Sequence, residues 1–214
     1  MQIREHAEAT PDKPAVIMHP SGTVVTFGEL EARANRLAHH FRQAGLVEGD
    51  TVAVLMENNE HLHAVMWAAR RSGLYYAVIN THLTAAEAAY IVDNSGAKAI
   101  VGSQALRTLC EELADHLPAG LPDLLMIADD DLDGWQRYPE CVAHQPSTPI
   151  DDEIEGDLLQ YSSGTTGRPK GIRRELPHVH PSESANLLSA LLMAIQMDSE
   201  SVYLSPAPLY HTAP

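Results

Sequence analysis

Four short, almost unbroken apolar runs, Thr51–Met56 (TVAVLM), Leu74–Ile79, Ala97–Val101 and Leu124–Ala128, recur along the chain with a helical pattern between successive runs. A strand that is apolar on both faces must be covered on both faces, which is the condition of an interior strand in a parallel sheet. The covering helices are marked by their ends. Thr26 with Glu29, and Thr84 with Glu87, make capping boxes, in which side chain and backbone at a helix start satisfy each other's donors. Behind the first box, Leu30, Ala34, Leu37, Ala38 and Phe41 share one face until Gly45 ends the pattern. His61–Arg71 reads as a helix stopped by Gly73, the helix opened by Thr84 runs to about Asp93, and Ser103–Leu117 reads as one more. Ala15–Met18 and Thr23–Phe27, joined by His19-Pro20-Ser21-Gly22, read as a leading hairpin. The expected fold class is α/β, a mostly parallel sheet flanked by helices.

Residues 1–128 are expected to form an N-terminal α/β subdomain. Residues 129–155 turn acidic and proline-containing without a sustained period and read as a surface connection. Residues 156–214 begin the next α/β portion, with an apolar helical stripe across Glu183–Met197 and a strand at Val202–Leu204. A chain of 214 residues can bury roughly 70% of its unfolded surface. Its net charge of −15, with 14 Lys and Arg in all, argues against a nucleic-acid or anionic-membrane partner, whose phosphates are met chiefly by those two residues. Cys110 and Cys141 show no metal-ligand spacing and read as reduced cytoplasmic thiols. No apolar run reaches the roughly 18 residues that a membrane helix needs.

The densest chemistry lies in Tyr161–Gly171, YSSGTTGRPKG, behind the short apolar strand pattern Asp157–Tyr161. Gly164, Gly167 and Gly171 let backbone N–H groups approach an anion. Ser162, Ser163, Thr165 and Thr166 add small donors, and Lys170 supplies a point charge. The P-loop expression places lysine directly after its second glycine and a metal-binding hydroxyl directly after lysine. Here the glycines at 164 and 167 are too close together, and Lys170 is followed by Gly171. The alternative without chemistry is an ordinary turn rich in Ser, Thr and Gly.

The loop resembles the phosphate-binding loop of the adenylate-forming superfamily, which includes acyl-CoA synthetases, luciferases and the adenylation domains of peptide synthetases. Three further segments match that pattern in order: Thr26–Asn58, Ala64–Val92 and Pro208-Leu209-Tyr210-His211. The second is similar to fatty acyl-CoA synthetases in flavour. The resemblance implies an incomplete N-terminal domain of an enzyme that joins a carboxylic acid, of the fatty-acid class, to ATP. Acyl-AMP and pyrophosphate form first, and coenzyme A then takes the acyl group. It implies that Ser162, Ser163, Gly164, Thr165, Thr166, Gly167 and Lys170 contact the ATP phosphates, with Lys170 and Thr166 catalytic. Tyr210 and His211 would lie near the acid. Mg2+ is implied as a cofactor, with its ligands and the adenine and ribose contacts downstream, so the 214 residues alone are expected to show little turnover and to self-associate through uncovered apolar surface. An enzyme loading a carrier protein and a non-catalytic nucleotide- or acyl-binding module are the alternatives. One departure is that Arg173-Arg174-Glu175-Leu176-Pro177 stands where relatives often carry a threonine-histidine pair.

Two other patterns carry less. Asp129, Asp131, Asp133, Gly134 and Glu140 satisfy the EF-hand loop expression. However, Leu124–Ala128 reads as a strand where an entering helix is required, and Pro139 sits where the exit helix would begin. His61 with His63, and His178 with His180, form two HxH pairs with no fixed carboxylate or cysteine partner.

Overall fold

The computed structural model describes residues 2–19, 21–118, 120, 122–162, 168–184 and 196–211. A first helix, α1 (Ile3–Ala9), precedes an antiparallel hairpin of β1 (Pro14–Ile17) and β2 (Val24–Thr26). The chain then alternates through α2 (Phe27–Gln43), β3 (Thr51–Leu55), α3 (Leu62–Arg71), β4 (Tyr75–Val78), α4 (Ala85–Ser95) and β5 (Ala97–Ser103). It continues through α5 (Arg107–Glu112), β6 (Leu124–Ala128), β7 (Gln136–Tyr138), β8 (Asp157–Leu158), β9 (Gln160–Ser162) and β10 (Lys170–Ile172). Strands β7-β6-β5-β3-β4-β8 form, in that order, one sheet in which every neighbouring pair is parallel.

Both expected capping boxes are present at Thr26 and Thr84, and α4 ends on Gly96 in the left-handed conformation at φ +65°. All five residues of β3 are buried, and their alternation sends Val52 and Val54 to one core and Ala53 and Leu55 to the other. The first core takes Leu37 and Phe41 of α2 with Leu62 and Val65 of α3. The second takes Ala88, Ile91 and Val92 of α4 with Cys110 and Leu113. Two-sided cover, read from unbroken apolar runs, is what the sheet has.

The chain steps outward from β3 to β4 and then crosses back to place β5 on the other side of β3. Such a reversal opens a crevice at the carboxyl ends of the strands, the usual ligand position in open α/β sheets.

Four expectations change. Ser103–Leu117 is not one helix: α5 is flanked by tight 3-10 turns at Gln104–Leu106 and Leu113–His116, a common way to close short helix ends. The acidic stretch is more than a surface connection. Its residues Gln136–Tyr138 join the sheet beside β6, and Tyr138, Val142 and Ile150 are buried. Its carboxylates are held locally, Asp129 by a hydrogen bond with His61 and Asp130 and Asp131 by ion pairs with Arg107 and Arg137. Asp157–Tyr161 divides into β8 and β9 around buried Leu159. Val202–Leu204 forms no ladder among the described residues, and these three side chains are 90%, 61% and 79% exposed. A strand pattern without a neighbour to pair with stays irregular. Most of the helical stripe expected over Glu183–Met197 lies outside the described residues.

Where α1, α2 and α3 meet, the Arg71 guanidinium is 5% exposed and bonded by both Glu31 oxygens at 2.9 and 2.6 Å. Asn35 also accepts from Arg71, Glu153 stands 3.8 Å away, and Arg4 holds both Glu153 oxygens at 2.6 Å. Cys110 and Cys141 are free. Burial, with the charge of Glu111, pushes the Cys110 thiol up to about 12, and burial takes Cys141 to about 11. No helix among the described residues is long and apolar enough to cross a membrane.

Candidate functional site

Strand β8 pairs with β4 through Tyr75↔Asp157 and Tyr76↔Leu158, and the Leu159 N–H donates to Tyr76 O at 3.0 Å. The chain is therefore travelling toward the carboxyl edge of the sheet when it enters β9. There it turns back through β10, with Lys170 opposite Ser162, Gly171 opposite Tyr161 and Ile172 opposite Gln160. This hairpin is the stem of the glycine-rich loop. Ser163, Gly164, Thr165, Thr166 and Gly167 lie outside the described residues, so only the stem residues of the expected phosphate site, Ser162 and Lys170, are seen. Both are exposed. Lys170 makes no hydrogen bond or ion pair among the described residues, although the chain carries 29 Asp and Glu.

The stem is anchored on both sides. The Tyr161 hydroxyl donates to Asn94 Oδ1 at 2.8 Å on α4, and Arg168 lies 5.3 Å over the ring of Tyr90. Burial, reinforced by Tyr90 and opposed by Arg173, pushes the Tyr161 phenol up to about 12, so it stays a neutral donor. Gly171 faces this ring: a Cβ there would meet Tyr161 Cζ at 2.9 Å. On the return limb, Arg173 lies 4.4 Å over the ring of Tyr75 and donates to Thr51 Oγ1 at 3.1 Å and Ser95 O at 2.8 Å. Arg174 pairs with Asp157 at 2.8 Å, and the Tyr75 hydroxyl donates to the Arg174 carbonyl. The Arg-Arg pair, read above as a departure, is what fixes the limb carrying Lys170 to the sheet.

The second expected element, Pro208-Leu209-Tyr210-His211, lies at the carboxyl edge of the sheet. Asn58, three residues past β3, donates through Nδ2 to Ala207 O at 3.0 Å and accepts the Leu209 N–H at 2.8 Å. Leu209 packs on the first core, Tyr210 is half-buried and His211 is exposed, with the two rings 4.5 Å apart. Among the described residues no hydrogen bond or ion pair joins His211 to Lys170. Asn58, Arg173 and Tyr161 were not singled out as site residues in the sequence. An amide just past a central strand, at the edge where ligands bind, was the available signal for the first.

Among the described residues no three His, Cys, Asp or Glu side chains are grouped as metal ligands. His178 pairs with Glu48 at 2.5 Å, His180 with Glu153 at 3.2 Å and His61 with Asp129 at 3.2 Å. Burial holds His63 below its ordinary pKa.

A family model described as AMP-binding enzyme matches residues 3–214. The fatty acid:acyl-carrier-protein ligase ScoC of Streptomyces coeruleorubidus is 29% identical over 170 residues, 78% of this chain and 31% of ScoC. The long-chain-fatty-acid–CoA ligase FadD13 of Mycobacterium tuberculosis is 29% identical over 216 residues, 99% of this chain and 40% of FadD13. A crystal structure of a Rhodopseudomonas palustris protein, proposed to be a long-chain-fatty-acid CoA ligase, superposes with a TM-score of 0.81 at 23% identity. That match covers 98% of this chain and 51% of the other. The chain thus spans 31% to 40% of the length of these two curated relatives. The match over nearly all of its residues shows that the chain belongs to the AMP-binding enzyme family.

Proposed function

We propose that the chain supplies the triphosphate grip and the acid-side wall of an acid–thiol ligase acting on a carboxylic acid of the fatty-acid class. The observation that carries this reading is the β9–β10 stem, which presents an exposed Lys170 with no hydrogen bond or ion pair among the described residues of a strongly acidic chain. A carboxylate and a triphosphate repel, so the first step needs phosphate charge neutralised and the attacking oxygen aligned with the α-phosphorus. Lys170 offers a compact charge that no described residue neutralises. Ser162, Ser163, Gly164, Thr165, Thr166 and Gly167 would cradle the departing pyrophosphate with hydroxyl and backbone donors, with Thr166 and Lys170 in the catalytic roles. The carboxylate oxygen bonds to the α-phosphorus as the bond to pyrophosphate breaks. In the second step the thiol sulfur of coenzyme A bonds to the acyl carbon and AMP leaves.

The exposed His211 beside Tyr210 is assigned to the acid's carboxylate. Mg2+ would enter chelated to the triphosphate and lower its charge further, and no described residue is assigned to it. Turnover belongs in this reading to the whole enzyme, and phosphate holding to these residues. Cys110 and Cys141 are free thiols, and a cytoplasmic location is part of the proposal. Transfer to a carrier protein instead of coenzyme A is the second reading, favoured by the similarity to ScoC.

The test is pyrophosphate release by the whole enzyme from ATP and a series of straight-chain acids. Losing one charge-assisted contact worth about 1.5–3 kcal/mol lowers kcat/KM for ATP roughly 10- to 100-fold in Lys170→Ala. Wild-type kinetics in that variant would remove the assignment.

A further inference from the structure

Asn58 grips a segment about 150 residues away by both of the backbone groups it can reach, the Ala207 carbonyl at 3.0 Å and the Leu209 N–H at 2.8 Å. Pro208, between them, has no N–H of its own to offer. At neutral pH a primary amide donates and accepts from adjacent atoms of one short side chain, and the fixed polarity of the two backbone groups dictates which amide atom faces which. Past the clasp the segment has little freedom. Leu209 is packed on the core, the His211 N–H donates to Pro208 O at 3.1 Å to close a turn, and Tyr210 meets the His211 ring. The orientation of His211 is therefore set from Asn58 through one clasped and packed turn.

We propose that Asn58 is a positioning residue for the acid-activating step, holding the Pro208–His211 turn against the carboxyl end of β3 so that His211 addresses the acid. This rests on the reading that His211 faces the acid's carboxylate. It predicts an effect confined to the acid side of the reaction, because the phosphate loop stands on a separate stem held by Tyr161, Arg173 and Arg174.

Two measurements test it. In the 214-residue chain, amide hydrogen exchange at Leu209 reports the clasp. Wild type is protected, and Asn58→Ala loses about 10-fold or more of that protection, as two hydrogen bonds disappear. Asn58→Asp keeps an acceptor for the Leu209 N–H but at neutral pH cannot donate to the Ala207 carbonyl, so it loses only part of the protection. It recovers that part as pH falls and the protonated acid mimics the amide. In the whole enzyme, Asn58→Ala lowers kcat for acyl-adenylate formation about 10-fold and raises KM for the acid, while KM for ATP stays at the wild-type value. Unchanged Leu209 protection in both variants overturns the clasp. Lost protection with unchanged acid kinetics, or an equal rise in KM for ATP, overturns the positioning role. Wild-type kinetics in His211→Ala and Lys170→Ala would instead remove the underlying functional reading, and the exchange result would still stand.

Discussion

Gly156→Ala is expected to destabilise the fold by about 3 kcal/mol, the upper end of overpacking costs, and to lower Tm by roughly 6–12 °C for a domain of this size. A Cβ at this position would lie 2.2 Å from Leu74 O, 2.8 Å from Leu74 N and 3.0 Å from Ala69 O. All three atoms are backbone, so no rotamer change relieves the clash and β8 must move away from β4. That shift would break the bonds from Gly156 N to Arg70 O (2.6 Å), Asp157 N to Leu74 O (3.2 Å) and Leu159 N to Tyr76 O (3.0 Å). These are the bonds that aim the loop stem, so MgATP binding should weaken alongside stability. Gly45→Ala is the control: its φ is +83° with open space around a Cβ, and it should cost only about 1 kcal/mol. Thermal unfolding followed by circular dichroism checks both variants. A Gly156→Ala melt matching wild type would show that β8 is not held where the structure places it.

Glu31→Ala is the second large effect, with an expected loss of about 3–5 kcal/mol because it leaves the buried Arg71 guanidinium without its bidentate partner. Replacing both residues, Glu31→Leu with Arg71→Met, should recover most of that loss, since the cost lies in the orphaned charge and not in the missing pair. Urea unfolding of the two single variants and the double variant makes the cycle, and strict additivity would contradict the coupling. The pair also sets an acid limb. Burial pushes the Glu31 carboxyl up, but the hydrogen bonds and charge of Arg71, with Arg4 and Asn35, outweigh burial and hold it below the ordinary carboxylate value. Since the folded value lies below the unfolded one, this stabilisation is complete above about pH 4.3 and is lost as pH falls through the folded value.

The parallel sheet was legible because its central strands are buried on both faces and so read as unbroken apolar runs, and because Thr26 and Thr84 start helices by a local hydrogen-bond device. Strand β7 was not legible: Gln136-Arg137-Tyr138 is too short to show a period, and only Tyr138 is buried. Val202–Leu204 shows the opposite error, a good strand composition with no ladder among the described residues. A strand needs a partner, and composition does not supply one. At the site, the glycines and hydroxyls of the loop and the Pro208–His211 motif were visible as local patterns. Asn58 and Arg173 were not, because their meaning lies in contacts with Leu209 and Thr51, 151 and 122 residues away. Periodicity and spacing carry no information over that range. Ser163–Gly167 lie outside the described residues, so their phosphate role stands on sequence resemblance and on the stem that presents them.

The most direct test of the phosphate grip is calorimetric titration of MgATP into the 214-residue chain, wild type beside Lys170→Ala. The account predicts saturable heat for wild type and a Kd at least about 10-fold weaker for the variant, the cost of one charge-assisted contact. Superimposable isotherms would contradict it.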